Sequence, residues 1–174
     1  MTFCQKNCLY LCVNLFIMKQ LSITTAIQVA KHEELSEQDR ALVDAAREAT
    51  HRSYAPYSHF NVGAAIALDN GEIVTGANQE NVAYPSGTCA ERTACFYAHA
   101  RYPDARFTTI AIAARGTDGN EVANPIAPCG ACRQALLEYE ILAKNNVKVM
   151  LIGRNDIYIL ESVKSLLPLA FSEF

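Results

Sequence analysis

The chain alternates helix-patterned segments with short apolar runs, and that alternation constrains its fold more than any other feature. Leu42, Val43, Ala46 and Ala49 recur at helical spacing. Ser36 precedes them as an N-cap, with Asp39 three residues on in the sense of a capping box. The spacing predicts a helix over 37–51, ended by Tyr54-Ala-Pro-Tyr57. Strands are expected over 61–68 and 72–77, and Asn70-Gly71 between them is the signature of a two-residue hairpin turn. A loop rich in Asn, Pro and Gly follows to residue 88. A second helix is expected over 90–101, stopped by Tyr102-Pro103, and a buried strand over 108–114. A third helix over 130–144, strands over 147–152 and 156–160, and a short terminal helix over 161–167 complete the order. Such interleaving implies an α/β fold with a mostly parallel sheet covered on both faces. The first two and last two strands are expected to pair antiparallel.

At 174 residues the chain has the length of one domain and can bury a full core without disulfides. No linker, repeat or low-complexity tract divides 18–174, which is expected to be a single domain. The 15 basic and 18 acidic residues leave a net charge of −3. That balance lacks the basic footprint of a nucleic-acid binder and suits a small neutral or cationic ligand. Residues 1–17 carry only Lys6 as a charge, and their apolar run over 9–17 is too short for a membrane helix, which needs about 20 residues. No small-residue cleavage site follows, so a signal peptide is not expected. The stretch reads as an N-terminal extension, disordered or not native, with Met18 as the natural start. No membrane association is expected.

Seven cysteines cannot all pair within the chain, and their placement points to a reducing compartment with a metal or reactive thiols. Cys4, Cys8 and Cys12 fall in the extension and are not taken as ligands. Cys89 precedes the second helix; Cys129 and Cys132 open the third. A helix N-terminus favours thiolate, the form that binds zinc. Three protein ligands leave one coordination position open, as in catalytic zinc sites. Glu91, two residues after Cys89, can take a proton from a metal-bound water and return it to a leaving group. Three thiolates and Zn²⁺ carry a net negative charge, and Arg92 is placed to hydrogen-bond a ligand sulfur. Arg133 is a weaker candidate for the same task. The Cys-x-x-Cys pair alone also admits a redox-active or structural reading. A structural zinc site would need Cys95 or His99 as a fourth ligand, but Cys95 is expected to be buried and His99 to pack or face solvent. His32, His51 and His59 offer no ligand spacing.

Four stretches together resemble the cytidine deaminases of the small homotetrameric type: Pro56-Tyr-Ser-His-Phe-Asn-Val-Gly-Ala64, Asn78-Gln-Glu-Asn81, Cys89-Ala-Glu-Arg-Thr-Ala94 and Pro128-Cys-Gly-Ala-Cys-Arg-Gln134. The last two correspond to the known signature of the zinc deaminases in its three-cysteine form. The resemblance runs from about Ala45 to Phe171. It implies a three-layer α/β/α sandwich with a five-stranded mixed sheet. It implies one Zn²⁺ per chain on Cys89, Cys129 and Cys132, with Glu91 as proton shuttle and zinc-bound hydroxide attacking C4. Cytidine and 2′-deoxycytidine would yield uridine and 2′-deoxyuridine plus ammonia, in pyrimidine salvage in the cytoplasm. Asn78 and Glu80 match the pair that holds the ribose 3′-hydroxyl, which would explain acceptance of both sugars. Phe60 matches the aromatic residue against the base, and Ala90 a further substrate contact. Tyr84 lies in a loop near the intersubunit site, and Phe171 matches a C-terminal Phe that reaches a neighbouring subunit's active site in a homotetramer. Residues 1–17 have no counterpart in this pattern and 19–35 match it weakly. A deaminase of nucleoside antibiotics and a non-catalytic zinc-stabilised binding module are the alternative readings. The Asn78/Glu80 pair argues against the first, and Glu91→Gln tests the second.

Overall fold

Side chains of a strand alternate between two faces, and this chain fills both. In the computed structural model, which describes residues 18–172, six strands and three helices follow the order β1 (Gln28–Ala30), α1 (Glu37–Ala49), β2 (Asn61–Leu68), β3 (Ile73–Ala77), α2 (Ala90–Arg101), β4 (Phe107–Arg115), α3 (Gly130–Ala143), β5 (Lys148–Ile152) and β6 (Ile157–Leu160). Ala65, Ala111, Ala113, Met150 and Ile152 face one way and meet Leu42, Val43 and Ala46 of α1. Ala64, Ile66, Ile110, Ile112, Val149 and Leu151 face the other way and meet Ala94, Cys95, Ala98, Leu136 and Leu137 of α2 and α3. The result is the expected three-layer α/β/α sandwich. Small residues on the α1 side bring that helix close: a Cβ on Gly63 would lie 2.3 Å from the Ala46 carbonyl oxygen. The expected extension over 1–17 lies outside the described residues.

The strand order is β1-β6-β5-β4-β2-β3. Two expectations about the sheet are corrected here. It has six strands rather than five, because 28–30 add an edge strand antiparallel to β6. Three residues with little burial carry no readable alternation. The sheet is also mostly antiparallel: only β4 and β5 pair in parallel. Helix α2 does cross between strands of the same direction, β3 and β4. However, β2 lies between them and runs antiparallel to both. Both expected antiparallel hairpins, β2–β3 and β5–β6, are present.

Local signals resolve in detail. The Ser36 hydroxyl accepts from the Asp39 amide at 3.1 Å, as an N-cap should. Only half of a capping box forms, since the Asp39 carboxylate pairs instead with Lys148 Nζ at 2.6 Å. The β2–β3 turn has three loop residues, not two: Gly71 N–H donates to Leu68 O, Leu68 N–H to Glu72 O, and Gly71 takes φ 88°. The glycine thus serves a bulged turn, while Asn70 uses its side-chain oxygen to accept from Glu72 N–H. Helix α3 stops one residue early because Lys144 turns left-handed at φ 56°. The terminal helix shortens to a 3₁₀ turn, Val163–Leu166.

Candidate metal centre and its cleft

Cys89 is the N-cap of α2 and Cys129 the N-cap of α3, with Cys132 buried in the first turn of α3. The two helix starts converge, and all three sulfurs lie within 4.8 Å of one another. Cys129 and Cys132 Sγ are 3.5 Å apart. Two thiolates at ~2.3 Å from one tetrahedral ion stand roughly 3.8 Å apart, so the spacing fits Zn²⁺. Among the described residues this is the group with metal-ligand geometry, and neither Cys95 nor His99 joins it. Cys95 is fully buried, and His99 lies against the Tyr139 ring.

Arg92 supplies a second sign that the cluster is built for negative charge. Its Nη2 approaches Cys89 Sγ at 3.9 Å, as expected for a cation beside a ligand sulfur. Its Nε is buried with no hydrogen-bond partner among the described residues. A buried guanidinium nitrogen without a partner is costly unless anionic charge stands nearby. The Cys89 thiol is pushed down to about 5, first by the hydrogen bond from Cys132 and further by Arg92 and Cys129. Cys132 is pushed up as the other member of that bond and by burial. A bound cation overrides this ordering and holds all the thiols deprotonated.

Glu91 is 4% exposed, in the first turn of α2. Burial pushes its carboxyl up, and negative charge at Cys89 adds to the shift. A carboxyl so placed can exchange a proton with a group beside the cluster without itself serving as a ligand. Ala90, beside it, is fully buried.

A cleft of about 470 Å³ opens in front of Cys89 and Arg92, and Asn78, Glu80 and Tyr84 line it. Its walls also include Tyr57 and Ser58, to which the sequence reading gave no role. Glu80 holds that segment in place. It accepts from the Tyr57 amide at 2.9 Å, the Ser58 amide at 3.3 Å and the Ser58 hydroxyl at 2.5 Å. These donors, the Ser58 hydroxyl first, keep its carboxyl below the usual range. The Asn78 side-chain oxygen accepts from Ser53 Oγ and Val62 N–H, while Nδ2 donates to Phe60 O at 2.9 Å. Asn78 and Glu80 therefore fasten 53–62 to the loop that precedes α2.

Tyr84 is 78% exposed and meets the Tyr57 ring edge-on at 6.4 Å. Phe60 is half-buried next to the cleft, outside its walls. Phe171 is exposed, and its carbonyl accepts from Gln134 Nε2 at 2.8 Å. Arg133 does not approach a ligand sulfur: its guanidinium donates to Pro128 O and Leu166 O. That corrects the expectation for this residue, because the side chain leaves α3 toward the C-terminal segment.

Residues 36–148 match the family of the cytidine and deoxycytidylate deaminase zinc-binding region. The chain belongs to this family. It is an enzyme of the cytidine deaminase class. It is 40% identical over 132 residues to the cytidine deaminase of Halalkalibacterium halodurans, covering 75% of this chain and 92% of that one. A probable cytidine deaminase of Dictyostelium discoideum is 35% identical over 131 residues, with 75% and 82% covered. The crystal structure of cytidine deaminase from Burkholderia pseudomallei superposes with a TM-score of 0.66 at 39% identity, covering 79% of this chain and all of that one. That from Mycobacterium tuberculosis gives 0.61 at 31% identity, covering 79% and 99%. The family match takes in Cys89, Glu91, Cys129 and Cys132. It ends before the C-terminal segment and begins after β1. Among the described residues no helix is long and apolar enough to cross a membrane.

Proposed function

We propose that this chain hydrolytically deaminates cytidine and 2′-deoxycytidine, giving uridine or 2′-deoxyuridine and ammonia. The observation that carries this reading is the three-cysteine cluster, with Glu91 buried two residues after Cys89, and the cleft of about 470 Å³ that Cys89 lines. Cys89, Cys129 and Cys132 would hold one Zn²⁺, which supplies Lewis-acid activation of water when bound.

The remaining chemistry falls to the chain's own side chains. The Glu91 carboxylate accepts a proton from the attacking water and delivers it to N3 of the pyrimidine as oxygen adds at C4. It then carries a second proton to the exocyclic amine, which departs as ammonia. Its buried setting supports this assignment, because burial holds the carboxyl above its ordinary range and so favours return of the proton it has taken. Arg92 offsets the negative charge of the sulfurs.

Asn78 and Glu80 are assigned to the sugar. Asn78 Nδ2 carries two hydrogens, and Phe60 O takes one; the other is the donor for the ribose 3′-hydroxyl. Glu80 has about four lone-pair positions against three donors, so it retains acceptor capacity for the same hydroxyl. A grip on the 3′ position is indifferent to the 2′ substituent, which supports acceptance of both nucleosides. Phe60 borders the base, and the Ala90 backbone lies beside Glu91. The exposed rings of Tyr84 and Phe171 suit a homotetramer in which neighbouring subunits complete each other's clefts. We place the enzyme in pyrimidine salvage, in the cytoplasm, where its thiols stay reduced.

The test is ultraviolet-monitored turnover of purified protein with each nucleoside, with zinc assayed on the same sample. The expected result is loss of the cytidine absorbance at about one zinc per chain. Full zinc loading with neither nucleoside consumed overturns the substrate assignment.

A further inference from the structure

Arg133 connects the metal centre to the C-terminal segment through two backbone carbonyls. Its Nε donates to Pro128 O at 2.7 Å and its Nη1 to Leu166 O at 2.9 Å. Pro128 is buried and immediately precedes Cys129. Leu166 closes the 3₁₀ turn after β6, and that turn is itself fixed by Glu140 of α3. The Glu140 carboxylate accepts from Ser162 Oγ at 2.7 Å and the Val163 amide at 2.7 Å. Gln134, the next residue, holds Phe171 O. The second turn of α3 thus grips both ends of 166–171.

The three cysteines are not equally constrained. Cys132 is buried within a helix turn, and Cys89 is half-buried against Arg92. Cys129 is exposed, sits outside the helical range at φ −65° and ψ 165°, and has no side-chain capping bond. The direction of its sulfur therefore depends on the peptide plane that precedes it. That plane is the one whose oxygen Arg133 holds.

We infer that Arg133 is a positioning residue for Cys129: it fixes the 128–129 peptide plane by bracing it against the Leu166 carbonyl, and so sets the geometry of the exposed metal ligand. This rests on the reading of Cys89, Cys129 and Cys132 as the metal centre. A guanidinium suits the task because its rigid fork reaches two carbonyls at once, while an ammonium offers a point charge on a flexible stem.

The test uses the full chain loaded with Co²⁺ for its visible spectrum, and with Zn²⁺ for the rate of release to a chromophoric chelator. R133Q is expected to keep metal stoichiometry but shift the cobalt ligand-field bands and release zinc about tenfold faster or more, the usual scale for losing a group that orients a ligand. R133K is expected to fall between R133Q and the parent, and it decides the matter should R133Q fail to fold. Q134A, which loses the Phe171 tie but keeps the Pro128 bond, is expected to match the parent spectrum and release rate. An unchanged spectrum and release rate in R133Q overturns the inference while leaving the metal centre intact. Equal acceleration in Q134A also overturns it, since loosening of the tail would then suffice. A parent protein that takes up no cobalt overturns the metal centre and this inference together.

Discussion

Gly76 of β3 lies directly against Ala94 of α2: a β-carbon on the glycine would come within 2.5 Å of the Ala94 backbone nitrogen and 2.6 Å of the Ala90 carbonyl oxygen. The atoms in the way are backbone, so no side-chain rotation can make room. α2 rests on this contact, and its first turn carries Cys89 as N-cap and Glu91. Gly76→Ala must therefore push the helix start away from the sheet. The expected cost is about 1–3 kcal/mol of stability, as for other overpacked interiors. Urea unfolding measures it. A parallel zinc assay should show lower occupancy in Gly76→Ala than in the parent, because Cys89, a proposed ligand, moves with the helix.

Glu91→Gln separates proton transfer from metal binding. Gln is nearly isosteric and keeps the packing of a site that is 4% exposed, but it cannot accept and return a proton. Zinc content and thermal midpoint are expected to stay near the parent values. The rate constant kcat for cytidine is expected to fall by roughly a hundredfold to ten-thousandfold, the range for a lost general acid–base group. A fully active Glu91→Gln enzyme would falsify the assigned role.

Much of this site was legible in the sequence, and the reasons differ by residue. Cys89, Cys129 and Cys132 could be read because helix starts and metal ligands both have local signatures, and the structure brings their sulfurs together. The three long helices were legible, α1 from its apolar periodicity and α2 to the residue, with its stop at Tyr102-Pro103. Strand β1 was not, because a three-residue edge strand is defined by its pairing to β6, more than 120 residues away, and not by its own pattern. Parallel direction was misread for a related reason: helix–strand alternation reports that a crossover exists, but not which strand lies between its ends. Arg133 shows the limit of spacing. It stands next to Cys132 in sequence, yet its partner Leu166 lies in another element.

Glu140 was missed altogether, although it interrupts an apolar helix face after Leu136 and Leu137. Its buried carboxylate accepts from the Val147 amide at 2.9 Å as well as from Ser162 and Val163. It joins α3 to the start of β5 and to the C-terminal turn. Glu140→Ala leaves two buried amides without an acceptor, and each costs about 1–3 kcal/mol. A loss of about 2–6 kcal/mol is therefore expected in denaturant unfolding. Glu140→Gln keeps one acceptor oxygen and should lose less; a loss below about 1 kcal/mol in Glu140→Ala would mean the carboxylate bonds contribute little.

Glu80 gives the chain a pH dependence with a definite sign. Its folded carboxyl is depressed, chiefly by the Ser58 hydroxyl and next by the Tyr57 amide. A depressed carboxyl contributes stability that is fully present above the unfolded value of about 4.3 and is lost as pH falls through the folded value. The group is only half-buried, so solvent screening keeps the effect small. The thermal midpoint of Glu80→Gln should lie slightly below the parent's at pH 7 and at pH 5. The gap should close only at more acidic pH. A gap that first appears in acid would reverse the sign and show that the carboxylate form is not the one the loop prefers.

Cys95 should be far less reactive than Cys129 toward an alkylating reagent. It is fully buried on the α2 face packed against the sheet, and burial pushes its thiol up to about 12. At pH 8 almost none of it is thiolate, and reagents cannot reach it without opening the core. Cys129, in contrast, is exposed. After zinc is removed with a chelator, timed alkylation followed by peptide mass mapping should show Cys129 labelled early and Cys95 only on global unfolding. If Cys95 reacts as fast as Cys129 in the folded protein, then α2 separates from the sheet on the labelling timescale. The contact between Gly76 and Ala94 would then be transient rather than the fixed seat of the metal-bearing helix.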